Sequence, residues 1–394
     1  MFEALRCPRD RLPLTAEGRR LGCAQGHSYP VVDGVPVLLV AEAQQTIALA
    51  HASSSATDGD GGYYVETLGI TPHERRAVLA DLAAGTGAVD PAVSWLVGAT
   101  CGRSYAHAVG RLRSYPIPEL PLPDGSGQRL LDIGCSWGRW SVAAAYKGYR
   151  VVGLDPSLGA LLAAKRVARK LGTEIEFVCG DARFLPFEAG SFNAAFSYSV
   201  LQHFAEDNAC ATLAEIGRVL RSGGVAKIQM ANRVGLRSLY HRARRGFREP
   251  RDFEVRYWRL PDLQAASEAA IGPTRITAEA FGGLGLLWSD RSIAPPRMLA
   301  LMAASEGLRR ASRALPALRL VADSVYIEAM RRAGTTPCRP SGQQADANRP
   351  VVAPQVQQQP RSFSHHAISL LLRAARCQGR LRWEGPGSIR NEYC

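Results

Sequence analysis

The sequence predicts an α/β protein: a doubly wound parallel sheet of about seven strands, preceded by a small β-rich module. Three observations carry that expectation. From Arg129 onward, apolar runs of strand length alternate with longer stretches of helical period. The first of these runs ends in a small-residue turn, Asp132-Ile-Gly134-Cys-Ser136-Trp-Gly138, that opens a helix. The first 40 residues stand apart, with a Cys/His pattern followed by short apolar stretches.

In chain order, residues 29–39 read as two short strands around the Asp33-Gly34 turn. The next twenty residues, with Gln44, Gln45, Ser53 to Ser55 and the glycines at 59, 61 and 62, carry no period and read as a linker. Thr71-Pro72-His73-Glu74 has the pattern of a helix N-cap with Pro at the first helical position. Pro116, Pro118, Pro121 and Pro123 then mark an extended approach to the regular part. There, strands are expected at 129–133, 150–154, 175–179, 192–198 and 225–230, the last entered through a Ser222-Gly223-Gly224 turn. Helices are expected at 138–147, 157–171 and 206–220. Two further strands, 275–280 and 325–329, flank an Ala/Leu/Arg-rich helical stretch at 296–315. Residues 334–360 turn to Pro, Gln and Ser and read as disordered, with one short helix candidate at 367–375. The expected organisation is a module at 1–40, a linker and helical substrate-side segment at 41–125, the α/β domain at 126–333 and a Pro/Gln-rich tail at 334–394.

The chain has 394 residues, 46% apolar and 21% charged, which excludes global disorder and a fibrous repeat. The longest apolar runs fall short of the roughly 20 residues a membrane-spanning helix needs. The N-terminus lacks the basic and apolar regions of a signal peptide, so a cytoplasmic protein is expected. Nine scattered Cys suit a reducing compartment and point to metal binding or packing. The net charge of +13 is concentrated after the core. Residues 233–259 hold nine Arg against three acids, 297–332 net +4 and 338–394 net +5. Only four of the 48 basic residues are Lys. The bland meaning is a solvated basic surface; the sharper one is peripheral contact of 233–259 with an anionic surface, or RNA.

The glycine turn lets backbone approach a ligand closely, and the helix beyond it presents free N–H groups. Asp155 ends the second core strand, where a carboxylate can accept from two ribose hydroxyls. Asp181 follows the third in Cys179-Gly-Asp-Ala182, where it can bind an exocyclic amine. With Ser197-Tyr-Ser-Val-Leu-Gln-His203-Phe204 after the fourth strand and 216–224 before the fifth, these landmarks resemble the class I S-adenosylmethionine (SAM) dependent methyltransferases, of the methyltransferase-11 type. The match covers about residues 130–230. It implies a Rossmann-like sheet and enzymatic methyl transfer from bound SAM. It also implies that Asp132, Gly134, Cys135, Ser136 and Gly138 hold the methionine part, Asp155 and Pro156 the ribose, and Asp181 and Ala182 the adenine. Ser197 and Leu201 would line the remaining side. Ser136 stands where the family has its middle Gly. A dinucleotide-binding domain, the competing reading of such a turn, predicts Gly-x-Gly-x-x-Gly and none of the later landmarks.

His203 is the candidate base if an acceptor hydroxyl must lose a proton, set against a histidine that only packs its loop. Tyr198 and Gln202 are lesser candidates. Trp137 and Trp140 suit cofactor-site walls, Trp140 being better explained by packing, as are Tyr105, His107 and Tyr115. The first 40 residues resemble the Trm112-like zinc-ribbon family through Cys7-Pro-Arg-Asp10, Cys23-Ala-Gln-Gly-His27 and 29–37. That resemblance implies a zinc site on Cys7, Asp10, Cys23 and His27, with Asp10 where a fuller site has Cys, or a β unit that has lost its metal. The expected acceptor is a small molecule, lipid-linked group or sugar, methylated at oxygen. RNA is the alternative, because bacterial rRNA guanine methyltransferases also place a zinc module before the SAM domain. A non-catalytic SAM-fold scaffold is the third reading.

Overall fold

The computed structural model describes residues 5–41, 49–54 and 64–332 except 86, 102, 252, 284 and 286. The expected tail at 334–394, its helix candidate and most of the 41–60 linker lie outside the described residues. Four short strands open the chain. β1 (Thr15–Glu17), β2 (Arg20–Gly22) and β3 (Ser28–Val32) form an antiparallel meander. β4 (Val35–Leu38) returns through Asp33-Gly34, whose φ values of 45° and 74° are the left-handed pair a two-residue hairpin needs. α1 (Leu49–Ser54), α2 (Pro72–Ala84) and α3 (Pro91–Cys101) follow. The start of α2 is written in its sequence: Thr71 Oγ1 accepts from Glu74 N–H at 3.2 Å, and Glu74 Oε2 accepts from Thr71 N–H at 2.7 Å.

The α/β core begins with β5 (Arg129–Ile133), α4 (Arg139–Tyr146), β6 (Arg150–Asp155), α5 (Leu158–Lys170) and β7 (Ile175–Gly180). It continues with β8 (Phe192–Ser197), α6 (Glu206–Val219), β9 (Leu220–Ala231), α7 (Leu236–Arg244) and α8 (Leu260–Ala270). β10 (Thr274–Ala280), α9 (Pro296–Ala314) and β11 (Ser324–Met330) complete it. The strand order is β1-β2-β3-β4-β7-β6-β5-β8-β9-β11-β10. The seven core strands run parallel from β7 to β9, and β11 enters antiparallel between β9 and β10. Chain order reverses between β5 and β8, the switch point at which open α/β sheets take ligands. β4 adds to the far edge in parallel, Val37 opposite Cys179 and Leu38 opposite Gly180.

Period-2 alternation divides the core into two faces. Leu131, Ile133, Ala195, Ile228 and Ile327 pack with Leu213 and Ile216 of α6 and Leu263 of α8. Leu130, Phe196, Tyr198 and Tyr326 pack on the other side with Trp140, Ala143 and Ala144 of α4. The Ser222-Gly223-Gly224 turn expected from sequence instead lies within β9, which starts at Leu220. Gly223 takes φ 74°, and the β8 register shifts between Phe192 and Ala194, so the glycines form a bulge that bends the strand without ending it. α7 and α8 were not expected individually. α7 had read only as basic charge.

A buried ion pair joins α6 to the rest. Arg218 donates to Glu215 at 2.8 and 2.7 Å, to Phe187 O at 2.7 Å and to Leu185 O at 2.8 Å. Arg11 from the N-terminal module donates to Glu215 Oε1 at 2.7 Å. Removing the carboxylate leaves a buried guanidinium without its counter-ion. Glu215→Ala is therefore expected to cost about 3–5 kcal/mol, read as a lower urea midpoint at unchanged slope. A loss under about 0.5 kcal/mol would show that the pair does not hold the fold.

Candidate functional site

At the switch point the chain leaves β5 through a turn in which Gly134, Ser136 and Gly138 take φ 72°, 48° and 82°. Three left-handed residues in five explain the small side chains there. A Cβ on Gly134 would sit 2.2 Å from Val200 Cγ2, so the loop after β8 closes directly onto this turn. Gly138 is the N-cap of α4, whose free N–H groups and positive dipole end face the turn. The Cys135 thiol is buried and pushed well up by that burial, which makes it a packing group and not a nucleophile.

Asp155 ties the turn to the next crossover. Its Oδ2 accepts from Ser136 N–H and its Oδ1 from Ser157 N–H, both at 2.9 Å. Burial raises it to about 6 despite these bonds. Asp132 lies beneath the turn and accepts from Ser141 Oγ–H at 2.6 Å. Burial first, and the neighbouring Asp155 charge second, push it to about 7. Pro156 follows on the surface side, half-buried. Ser197 Oγ donates to Ile133 O at 3.1 Å and joins the ends of β8 and β5. Leu201 is buried in the short turn 201–203.

Asp181 follows β7, with Ala182 opening a short 3-10 turn. Its carboxylate is held by Arg183, through Nε at 3.1 Å, Nη2 at 2.6 Å and the backbone N–H at 2.9 Å. The group expected to meet an exocyclic amine thus already has a partner two residues away. His203 sits on the loop after β8. Its Nδ1–H donates to Phe253 O at 2.7 Å, since a carbonyl can only accept, and its ring stacks on Phe253 at 4.0 Å. Burial lowers it to about 4, so the ring is neutral with Nε2 as the unprotonated nitrogen. Asp132, Gly134, Ser136, Gly138 and Asp155 therefore form one connected cluster, with Val200 bringing the His203 loop against it. Asp181 lies farther along the sheet.

Sequence reading missed a buried polar group at the same edge. Tyr198 donates to Glu279 Oε1 at 3.1 Å, and its ring lies 4.8 Å from Trp140. Arg139 donates to both oxygens of Asp290 at 2.9 and 3.0 Å. Glu279 and Asp290 stand far from any recognisable motif, so only the fold brings them in. Tyr105, His107 and Tyr115 bond to Gly285 O, Ile293 O and Asp90 N–H, which are packing roles.

In the N-terminal module, two tight turns face one another. Cys7 O accepts from Arg11 N–H, and Cys23 O from Gly26 N–H. The ligand atoms of Cys7, Asp10, Cys23 and His27 all lie within 4.8 Å of one another. His27 Nδ1 is 3.5 Å from each sulfur and 2.9 Å from Asp10 Oδ2. Bonds of about 2.0–2.3 Å in a tetrahedron set ligand atoms about 3.3–3.8 Å apart. The sulfur–nitrogen distances meet this, Asp10 stands closer, at hydrogen-bond distance from His27, and the two thiols, imidazole and carboxylate are a donor set of the kind zinc takes. Tyr29 OH lies 3.2 Å from Cys7 Sγ, placed as an outer-shell partner.

A sheet that reverses at β5, with a glycine turn and a buried carboxylate at the reversal, has the doubly wound, Rossmann-like form that class I SAM-dependent methyltransferases share. Residues 130–224 match the family profile described as a methyltransferase domain, and the chain carries that domain. A Xenopus tropicalis tRNA (carboxymethyluridine(34)-5-O)-methyltransferase is 34% identical over 152 residues, 35% of this chain and 23% of the relative. A Renibacterium salmoninarum demethylmenaquinone methyltransferase is 39% identical over 98 residues, 25% of this chain and 39% of the relative. The chain spans less than half the length of either. The solved Haemonchus contortus phosphoethanolamine N-methyltransferase 2 with SAM is 22% identical over 54% of this chain and 50% of its own, at a TM-score of 0.38. That likeness is too loose to argue from.

The raised carboxyls make stability pH-dependent with a definite sign. Unfolded Asp titrates near 3.9, whereas Asp132 and Asp155 titrate at about 7 and about 6 in the fold. Between those values the folded chain holds more protons, so these two groups lower stability as pH rises from about 4 through about 7. The wild type is expected to lose more thermal stability between about pH 5 and about pH 8 than Asp132→Asn does. Parallel pH curves for the two proteins would contradict this.

Proposed function

We propose that the chain is a SAM-dependent methyltransferase acting at oxygen on a small-molecule, lipid-linked or sugar acceptor. The observation that carries this is the Asp155 carboxylate bridging the glycine turn and the cap of α5 at the switch point. In this reading Gly134, Cys135, Ser136 and Gly138 hold the methionine part, with Asp132 supporting the turn from below. Asp155 and Pro156 take the ribose, each Asp155 oxygen retaining a lone pair. Asp181 and Ala182 border the adenine, with Arg183 as a second partner of that carboxylate. Ser197 and Leu201 close the side toward β8. When bound, SAM supplies a methyl group activated by its sulfonium.

The chain's own task is then to orient the acceptor, exclude water and receive a proton. His203 is the proposed receiver. Its Nδ1–H is fixed on Phe253 O, which leaves the Nε2 lone pair as the acceptor; burial keeps that lone pair unprotonated at neutral pH and, at about 4, also makes it a weaker base than a free imidazole. Cys7, Asp10, Cys23 and His27 are proposed to hold a structural zinc. With four protein ligands it would have no open position and would act only by joining the two turns. RNA remains a second reading, supported by the nine Arg of 233–259 and by the tRNA named in one matched relative.

Calorimetric titration with SAM tests the first reading. Binding is expected, and Asp155→Asn, which keeps the side-chain shape, is expected to weaken it by about 1–3 kcal/mol. Unchanged affinity would remove Asp155 from the site, and no binding to a folded wild type would sink the assignment. Zinc analysis should find about one ion per chain, lost with reduced thermal stability in Cys23→Ser. An equally stable, metal-free wild type would overturn the zinc site. For RNA, affinity should fall steeply with salt; a flat response counts against it.

A further inference from the structure

α7 is amphipathic in the reverse of the usual sense. Its inward side is polar: Ser238 is buried with its N–H on Asp323 Oδ1 at 2.8 Å, Arg242 donates to Arg233 O at 3.3 Å, and Arg245 to Val255 O at 3.2 Å. Its outward side is apolar. Leu236 is 69% exposed and Tyr240 52%, and Leu239 shares their face. Val234 just before the helix is also exposed, as is Phe247 just after it at 57%, its ring 5.3 Å from the Arg242 guanidinium. Leu320 is exposed nearby, in the segment before β11: its carbonyl accepts from Asn232 Nδ2–H at 2.9 Å, and Asp323 and Ala322 of that segment lie against Gly235. A surface helix with its apolar stripe toward water has a partner missing.

Charge indicates what covers it. Arg237 and Arg244 flank the exposed face, each guanidinium 5.9 Å from the Tyr240 ring, and neither meets a carboxylate among the described residues. Residues 233–259 net +6, which repels a second copy of this surface. The partner is anionic. RNA would match the arginines but gains nothing from Val234, Leu236, Leu239 and Leu320, which have no hydrogen-bonding atoms and no π face. Hydrocarbon rimmed by phosphate matches both.

We propose that this patch is an interfacial anchor for an anionic lipid bilayer. The anchor adjoins the candidate acceptor side. Arg256, in the segment that follows it, donates to His203 O and Gln202 O, both at 2.7 Å, and Phe253 stacks on His203. Bound this way, the loop after β8 lies beside the headgroups.

The test is flotation of the full chain with vesicles of phosphatidylcholine containing about one third phosphatidylglycerol, against phosphatidylcholine alone. The wild type is expected to float with the anionic vesicles only, and the combined Leu236→Ser, Leu239→Ser, Phe247→Ser variant to partition at least about tenfold less. Arg237→Gln with Arg244→Gln should weaken partition at low salt and lose that difference at high salt. Circular dichroism and SAM titration of each variant check that the fold is kept. A wild type that stays with the aqueous phase overturns the anchor, as does an intact Ser variant that floats equally well. So does tight wild-type binding to a structured RNA with no partition to vesicles. Because flotation does not use SAM, failure of the methyltransferase reading would show separately in the titration.

Discussion

Asp155 accepts one backbone N–H from the glycine turn and one from the cap of α5, so a single carboxylate spans the two loops that leave β5 and β6. Two backbone bonds, Gly134 N–H to Leu154 O at 2.7 Å and Cys135 N–H to Leu154 O at 3.1 Å, hold the glycine turn to the end of β6 beside it, and the carboxylate extends that hold to the cap of α5. The cost is desolvation, which lifts the carboxyl to about 6 and leaves both protonation states accessible near neutrality. The constraint passes outward through Ser157, whose hydroxyl donates to Thr67 O, while Thr67 Oγ1 accepts from Gly159 N–H at 2.7 Å. Gly159 has no room for a side chain, since a Cβ would lie 2.4 Å from Tyr64 O. The segment before the core is thereby locked onto the start of α5.

The two faces of the sheet differ in kind. Toward α6 and α8 the side chains are aliphatic and close-packed, and their role is burial. Toward α4 and α9 the half formed by β8 to β11 carries Tyr198, Gln229, Glu279, Ser324 and Tyr326, all buried. Buried polar groups are favourable only when paired, yet Glu279 Oε2, Gln229 Oε1 and Trp140 Nε1 have no hydrogen-bond partner among the described residues. Polar side chains buried at the carboxyl edge cost stability where they are left unpaired, and the aliphatic face carries the fold.

Much of this was legible from residue order. The five parallel strands followed from runs such as Leu130-Leu131, which are apolar on both faces because helices cover both. The glycine turn was legible because left-handed backbone restricts side-chain choice so strongly. Other features were hidden for identifiable reasons. Gly223 and Gly224 read as a turn because a bulge and a turn ask the same backbone freedom of glycine. The Arg183 partner of Asp181 was overlooked, although it stands two residues away. α7 was obscured because its leucines face outward among arginines, so its period looked like a charge run. Glu279 and Asp290 gave no local signal, since only tertiary packing brings them to the edge.

The parallel pairing of β4 with β7 has a consequence in time. The Cys7 to His27 turns bring their four ligand atoms together within about twenty residues of chain, although Arg6 and Arg11 later bond to Pro186 O and Glu215. β4 must wait, because Val37 and Cys179 are about 140 residues apart. At ribosomal speed that interval is on the order of ten seconds, through which an apolar strand edge stays open on the nascent chain. The order of synthesis therefore makes the Cys/His turns a seed that exists before its sheet. Whatever rigidity they gain during the wait decides how long β4 survives as a lone edge and how cleanly the last parallel strand finds it.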